Sequence, residues 1–149
     1  KRGGAMGPGG GMFWPEQLQS DSVARVLIVE DFEDLRKLVA VYLGGRGYQV
    51  LQAGSGKAAI RTAKSGNPHL ILLDIRLPDI SGLDVVRELR KLSQTKHVPI
   101  IGWSAESGSN PQREMLRHAG ISHYIQKPTS LKELDAIIKR FLAKSTKAD

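Results

Sequence analysis

Three carboxylates stand directly after short apolar segments of this sequence. Glu30 and Asp31 follow the apolar segment 25–29, and Asp74 follows the apolar run 70–73. Continuous apolar runs of this length are typical of strands buried on both faces of a parallel sheet. The carboxyl ends of parallel strands share one edge, where open α/β sheets place their chemistry. We therefore expect these three carboxylates to share one crevice.

The chemistry of such a crevice is that of phosphoryl groups and divalent cations. Crowded carboxylates raise one another's pKa unless a cation neutralises them, and oxygen ligands of this kind suit Mg²⁺. Two further polar residues stand at the ends of apolar segments, Ser104 with a hydroxyl donor and Lys127 with a positive charge. A carboxylate nucleophile, a metal ion, a lysine and a hydroxyl donor together can form and hold an acyl phosphate.

Taken singly, each of these residues has an ordinary structural explanation. Aspartate often begins a turn, which accounts for Asp74, and the pair Glu30-Asp31 suits the positive end of a helix dipole. Ser104 alone is typical of a strand end, and Lys127 alone is typical of a solvated surface. Their joint position at the ends of successive strand segments favours the functional interpretation.

The pattern that positions these residues is a fivefold alternation of strand and helix. The predicted strands cover residues 25–29, 48–52, 69–73, 98–103 and 123–126. Such alternation predicts an α/β, doubly wound fold with a five-stranded parallel sheet and helices on both faces.

The segments between the strands carry helical periodicity and helix-end signals. Apolar residues at helical spacing predict the buried faces of five helices, which are Leu35, Leu38, Val39, Tyr42 and Leu43; Ala59, Ile60 and Ala63; Val85, Val86, Leu89 and Leu92; Met115, Leu116 and Ala119; and Leu134, Ile137, Ile138, Phe141 and Leu142. Ser55 and the pair Asn110-Pro111 are predicted helix starts, and Ser130 with Glu133 matches a capping box.

The composition excludes several classes of protein. Because it contains no cysteine, the 149-residue chain has no disulfide, thiolate metal site or cysteine nucleophile. No apolar run approaches the ~18 residues needed to span a bilayer, and no signal-peptide core is present, so we expect a cytoplasmic location and no membrane contact. The formal charge of +7 is spread over scattered basic residues, so we do not expect this domain to bind nucleic acid.

We divide the chain into three parts. Residues 1–22 are expected to be a disordered vector remnant and linker, because half of residues 1–12 are glycine and this segment includes the scar-like stretch Gly4-Ala5-Met6-Gly7. Residues 23–144 carry the strand–helix pattern and form the predicted domain. Residues 145–149 are expected to be a polar tail.

Four motifs, in this order and spacing, resemble a response-regulator receiver domain of two-component and phosphorelay signalling. They are Val26-Leu27-Ile28-Val29-Glu30-Asp31, Leu73-Asp74-Ile75-Arg76-Leu77-Pro78-Asp79-Ile80-Ser81-Gly82, the strand ending in Ser104-Ala105, and Lys127-Pro128. The resemblance is to the chemotaxis-regulator-like type and runs from about Arg25 to Ala143. It implies a (βα)5 flavodoxin-like sandwich.

The resemblance implies an acceptor and a metal site. Asp74 is then the phosphoacceptor, which takes a phosphoryl group from a histidine kinase or a histidine phosphotransfer domain. Asp31 and Asp74 coordinate Mg²⁺ directly, Glu30 does so through water, and Arg76 does so through its backbone carbonyl. The domain catalyses its own phosphorylation and dephosphorylation and turns over no external substrate.

The resemblance also implies a switch. Ser104 and Lys127 contact the phosphoryl group, and Ser104 moves together with the aromatic residue Tyr124. The face formed by residues 110–119, 124 and 130–142 then binds a downstream protein target or a second copy of the chain. Because Lys127 has to turn back toward Asp74, the Lys127–Pro128 peptide bond is predicted to be cis.

The sequence departs from the usual receiver pattern at three positions. Glu30 stands where aspartate is also common, which lengthens the ligand by one methylene. Serine at position 104 replaces the more usual threonine, so the hydroxyl is kept but the methyl that helps to fix its rotamer is lost. Trp103 is bulky for its strand, and the sequence gives no account of it.

Two other functions share part of this pattern. A haloacid-dehalogenase-type phosphatase also uses an aspartate nucleophile with Mg²⁺, but it needs a second aspartate two residues later, where this chain has Arg76. A flavodoxin-like nucleotide or flavin module needs a phosphate-binding loop after the first strand, where the acidic stretch 30–34 repels phosphate. A single-domain regulator and a receiver excised from a larger protein, such as a hybrid kinase, are both compatible with the sequence.

Overall fold

The computed structural model describes residues 23–105 and 109–148. The predicted vector remnant and linker over 1–22 lies outside the described residues. Within this part of the chain, no helix is long and apolar enough to cross a membrane.

Strands and helices alternate five times along the chain. The strands are β1 (Arg25–Val29), β2 (Gln49–Ala53), β3 (Leu70–Asp74), β4 (Ile100–Ser104) and β5 (His123–Gln126). The helices are α1 (Glu33–Gly45), α2 (Gly56–Gly66), α3 (Gly82–Lys91), α4 (Asn110–Ala119) and α5 (Leu131–Ala148). The last helix runs into the segment 145–149 that was expected to be a polar tail.

The five strands form one parallel sheet in the order β2-β1-β3-β4-β5. The order reverses between β1 and β3, and a crevice opens at the carboxyl ends of strands where such a reversal occurs. Helices cover both faces, so the predicted doubly wound α/β fold is confirmed.

The core lies in two layers, one on each side of the sheet. Alternate residues of the strands face α2, α3 and α4 on one side and α1 and α5 on the other. All five residues of β3 are buried, as its apolar run predicts. Each fully buried aliphatic side chain stabilises the fold by roughly 1.5–3 kcal/mol.

The strand boundaries differ from the prediction by one or two residues. β2 and β3 begin one residue later than predicted, and β4 begins at Ile100 rather than Val98. The ends also differ, since Asp74 and Ser104 are included as the last residues of β3 and β4. Both residues are paired in the sheet, Asp74 with Trp103 and Ser104 with Gln126.

Three predicted helix starts have different outcomes. Ser55 caps α2 as predicted, since its hydroxyl accepts from the Ala58 N–H at 3.1 Å. The predicted Asn110 cap of α4 is wrong: Ser109 is the cap and forms a reciprocal capping box with Gln112. Before α5, the Glu133 N–H donates to the Ser130 hydroxyl at 3.0 Å, which confirms the serine cap.

Two residues predicted on buried helix faces are exposed. Leu38 is 56% exposed, because the buried line of α1 passes through Val39 and Leu43 and Leu38 points away from it. Met115 is 51% exposed, whereas its neighbour Leu116 is buried.

Candidate functional site

The acidic pair lies immediately after β1. Glu30 is 2% exposed, whereas Asp31 is exposed to solvent. The Glu30 carboxylate accepts from the Phe32 N–H at 3.1 Å, and the Arg36 guanidinium donates to the Glu30 carbonyl at 3.0 Å. These contacts hold the turn that directs Glu30 into the crevice.

Asp74 lies beside this pair, at the end of β3. It is 5% exposed, and its Oδ1 accepts from the Arg76 N–H at 2.9 Å. Glu30, Asp31 and Asp74 each offer a carboxylate oxygen, and these three oxygens lie within 4.8 Å of one another. The structure therefore brings the three predicted carboxylates together.

Lys127 enters the same crevice from the loop after β5. Its Nζ lies 2.5 Å from Glu30 Oε1 and 3.4 Å from Asp74 Oδ2. Its backbone N–H donates to the Ser104 carbonyl at 2.7 Å. The Lys127–Pro128 bond is cis, as predicted.

The charges of this group act on one another at short range. Burial raises the pKa of Glu30, and the negative charge of Asp74 acts in the same direction, whereas the bonds from Lys127 and the Phe32 N–H oppose the rise. Three carboxylates and one ammonium carry a formal charge of −2 when all are ionised. That charge and the oxygen donor set both fit Mg²⁺, which takes one or two protein carboxylates and keeps several waters.

Ser104 and Tyr124 lie on the side of the crevice toward α4. Ser104 is 2% exposed at the end of β4. It lines a cavity of about 590 Å³ together with Tyr124, Leu83 and Met115. The Arg113 guanidinium of α4 lies over the Tyr124 ring, 4.5 Å from its centroid.

Two residues of the site region were not assigned a role by sequence reasoning. One is Trp103, whose ring centroid lies 4.5 Å from the Lys127 Nζ. Asp79 caps α2, since its carboxylate accepts from the N–H groups of Gly56 and Lys57 at 2.8 and 2.9 Å. These bonds lower the pKa of Asp79. The first turn of α2 has no acidic residue of its own, so Asp79 supplies the negative charge that favours this helix N-terminus.

Comparison with known proteins gives a consistent result. The family model of the response regulator receiver domain matches residues 26–139. The chain is 36% identical over 117 residues to the polar-differentiation response regulator DivK of Brucella ovis, covering 78% of this chain and 94% of that protein.

Solved structures agree with this family match. A CheY-like response regulator receiver domain protein from Methanospirillum hungatei superposes with a TM-score of 0.81 at 26% identity, covering 86% of this chain and all of that one. The receiver domain of a sensor histidine kinase from Pseudomonas aeruginosa, with a magnesium ion in its active site cleft, gives a TM-score of 0.74 at 31% identity, covering 82% and 99%.

Proposed function

Because the chain belongs to the response-regulator receiver family, we propose that Asp74 is its phosphoacceptor in two-component signalling. The observation that carries this proposal is the position of Asp74 at the carboxyl end of β3, within reach of both the acidic pair and Lys127. Asp74 is the last residue of β3, the central strand of the sheet, which has a neighbouring strand on each side.

The proposed reaction moves one phosphoryl group. An oxygen of Asp74 attacks the phosphorus of a phosphohistidine, the new O–P bond forms, the N–P bond breaks, and the imidazole leaves. Lys127 moves from Glu30 toward the phosphoryl oxygens and balances their charge. The Ser104 hydroxyl donates to one of these oxygens.

The same residues would hold Mg²⁺. We propose that Asp31 and Asp74 bind the ion directly, Glu30 through water, and Arg76 through its backbone carbonyl. When bound, the ion supplies charge neutralisation at the transferring phosphoryl group. Glu30, released from its bond to Lys127, would then be free to bind the ion through water.

The proposal extends to the partners and setting of the domain. A histidine kinase or a histidine phosphotransfer domain donates the phosphoryl group, and the protein works in the cytoplasm. The domain promotes its own phosphorylation and dephosphorylation. Its output passes to a downstream protein, or to a second copy of the chain, through the face formed by 110–119, 124 and 130–142.

Acetyl phosphate with Mg²⁺ tests the acceptor. Mass spectrometry of the parent should show one acid-sensitive phosphoryl adduct, which disappears in Asp74→Asn and when EDTA replaces Mg²⁺. Asp84→Asn is the matched control, because Asp84 is an exposed carboxylate on α3 that pairs with Arg87 away from the crevice. An undiminished adduct in Asp74→Asn would contradict the assignment.

A further inference from the structure

Trp103 approaches the acidic crevice from within the core. It precedes Ser104 on β4 and is paired with Asp74 across the ladder. Its side chain is 3% exposed and packs with the core residues between the sheet and helices α1 and α5. The Lys127 Nζ that pairs with Glu30 and Asp74 lies 4.5 Å from the centroid of the Trp103 ring. The ammonium therefore has carboxylates on one side and an aromatic face on another.

Packing alone does not account for tryptophan at this position. The Nε1–H of Trp103 is buried and has no hydrogen-bond partner among the described residues. A buried donor without an acceptor destabilises a fold, and a phenylalanine ring avoids that loss. Tryptophan, however, attracts a cation over its face more strongly than phenylalanine does. The contact with Lys127 is the interaction that an indole ring makes more strongly than a phenyl ring.

We propose that Trp103 is a positioning residue, whose ring holds the ammonium of Lys127 over the crevice. The inference rests on the proposed acceptor function of Asp74. A lysine side chain is a long flexible stem with many rotamers, and a fixed aromatic face restricts them to those that keep Nζ near Asp74. The same face accommodates the ammonium before and after it moves from Glu30 to the phosphoryl oxygens.

A kinetic double-mutant cycle tests this proposal. The rate of acetyl-phosphate phosphorylation is measured for Trp103→Leu and Trp103→Phe, each in the parent and in a Lys127→Met background. Loss of the cation–aromatic contact should lower the rate about tenfold in Trp103→Leu, and less in Trp103→Phe. In the Lys127→Met background, Trp103→Leu should change the rate by less than about twofold, because the contact is already absent.

Ile101→Val is the matched packing control. Ile101 is fully buried two residues earlier on the same face of β4. This variant loses core volume and should keep the parent phosphorylation rate. If Trp103→Leu lowers the rate equally with and without Lys127, the ring acts through packing alone and the proposal is wrong.

A second measurement reads the contact without phosphorylation. In a Trp14→Phe background, Trp103 is the single tryptophan, and its indole ¹H–¹⁵N resonance can be followed by NMR. Lys127→Met should shift this resonance, whereas Lys132→Met, at an exposed lysine of α5, should leave it in place. An unmoved resonance in Lys127→Met overturns the proposal. A parent protein that accepts no phosphoryl group would instead contradict the proposed function, and this second measurement would still decide the contact.

Discussion

Ser104 and Lys127 belong to different strand ends and are joined through the backbone. The Lys127 N–H donates to the Ser104 carbonyl at 2.7 Å, while the Lys127 side chain reaches Glu30 and Asp74. In the proposed switch, a movement of Ser104 toward a phosphoryl group on Asp74 would therefore also act on the loop that carries Lys127. Tyr124 lies on the neighbouring strand and lines the same cavity as Ser104.

Ser104→Ala tests whether this hydroxyl starts the switch. The variant keeps Asp74 and Lys127 and should still accept a phosphoryl group, more slowly than the parent. Without the hydroxyl, nothing draws position 104 inward, so the NMR shift changes at Tyr124 and along α4 should be largely lost. Changes of full size in the phosphorylated variant would show that the hydroxyl is not the trigger.

The buried carboxylate of Glu30 predicts a pH dependence of stability. Burial raises the pKa of Glu30 above its ordinary value of 4.5, so the folded state holds this proton more tightly than the unfolded state. The stability that Glu30 contributes is therefore fully present below pH ~4.5 and is lost as the pH rises through the raised pKa. Glu30→Gln does not titrate, so its free energy of unfolding should rise relative to the parent across that window.

Denaturant titrations between about pH 4 and about pH 7 measure this difference in the free energy of unfolding. Glu88→Gln is the control, because Glu88 is an exposed glutamate on α3 that pairs with Lys91. A difference between Glu30→Gln and the parent that stays constant with pH would contradict the prediction.

At the residue scale, the sequence predicts the carboxylates and the lysine well. Glu30, Asp31, Asp74 and Lys127 converge because each lies at the carboxyl end of a strand, and parallel strands bring those ends together. The contact between Trp103 and Lys127 depends on which way two side chains turn after their backbones are placed. Strand periodicity carries no information on that choice.

At the scale of the elements, the start of α2 is stabilised by a residue of the loop between β3 and α3. Asp79 accepts hydrogen bonds from the first N–H groups of α2, and these bonds lower its pKa. Asp79→Asn should lower the stability at neutral pH, because the charge that favours the helix N-terminus is removed. A lowered folded pKa contributes stability above the unfolded pKa of ~3.9 that is lost as the pH falls through the folded value.

The expected result is therefore a difference in unfolding free energy at pH 7 that shrinks toward pH 3. Thermal or urea unfolding of parent and variant measures it. Glu88→Gln serves as the comparison, since Glu88 is an exposed carboxylate of α3 that lies beyond the first turn of that helix. Equal stability of Asp79→Asn and the parent at both pH values would show that the charge of Asp79 does not stabilise α2.

Element types were predicted correctly, whereas their ends were predicted less well. Periodicity identifies a helix or strand over many residues, but an end depends on one or two local hydrogen bonds. Ser109 competes with Asn110 for the cap of α4 and is favoured because Gln112 lies at the position that completes the capping box. Leu38 satisfies the helical spacing, yet the buried line of α1 passes through Val39 and Leu43 instead.

At the scale of the whole molecule, a buried polar network joins the region after α1 to α5. Asp135 is 3% exposed, and its carboxylate accepts from the Tyr48 hydroxyl at 2.7 Å and from Arg46 Nε at 3.2 Å. Tyr48→Phe removes one donor from a buried carboxylate and should lower the free energy of unfolding by about 1–3 kcal/mol.

Equilibrium urea unfolding measures this loss. Tyr42→Phe is the control, since Tyr42 is another partly buried tyrosine, on α1. A loss in Tyr48→Phe no larger than that in Tyr42→Phe would contradict the prediction.

The overall architecture follows from the alternation of strands and helices, since right-handed crossovers leave few arrangements for five parallel strands. The partner of Asp135 could not be predicted, because 87 residues separate it from Tyr48 along the chain. Such a contact follows from the assembled fold and has no local signal.

The ion pair between Lys127 and Glu30 affects how quickly the crevice can respond to a phosphoryl group. The crevice already contains an ammonium ion that is part of the chain, so a new phosphoryl group meets a counter-charge that need not diffuse in from solvent. Lys127 has only to change its rotamer to reach that group, and this local step needs no diffusion of a partner. In the proposed function, the duration of the signal is therefore set by the lifetime of the acyl phosphate on Asp74.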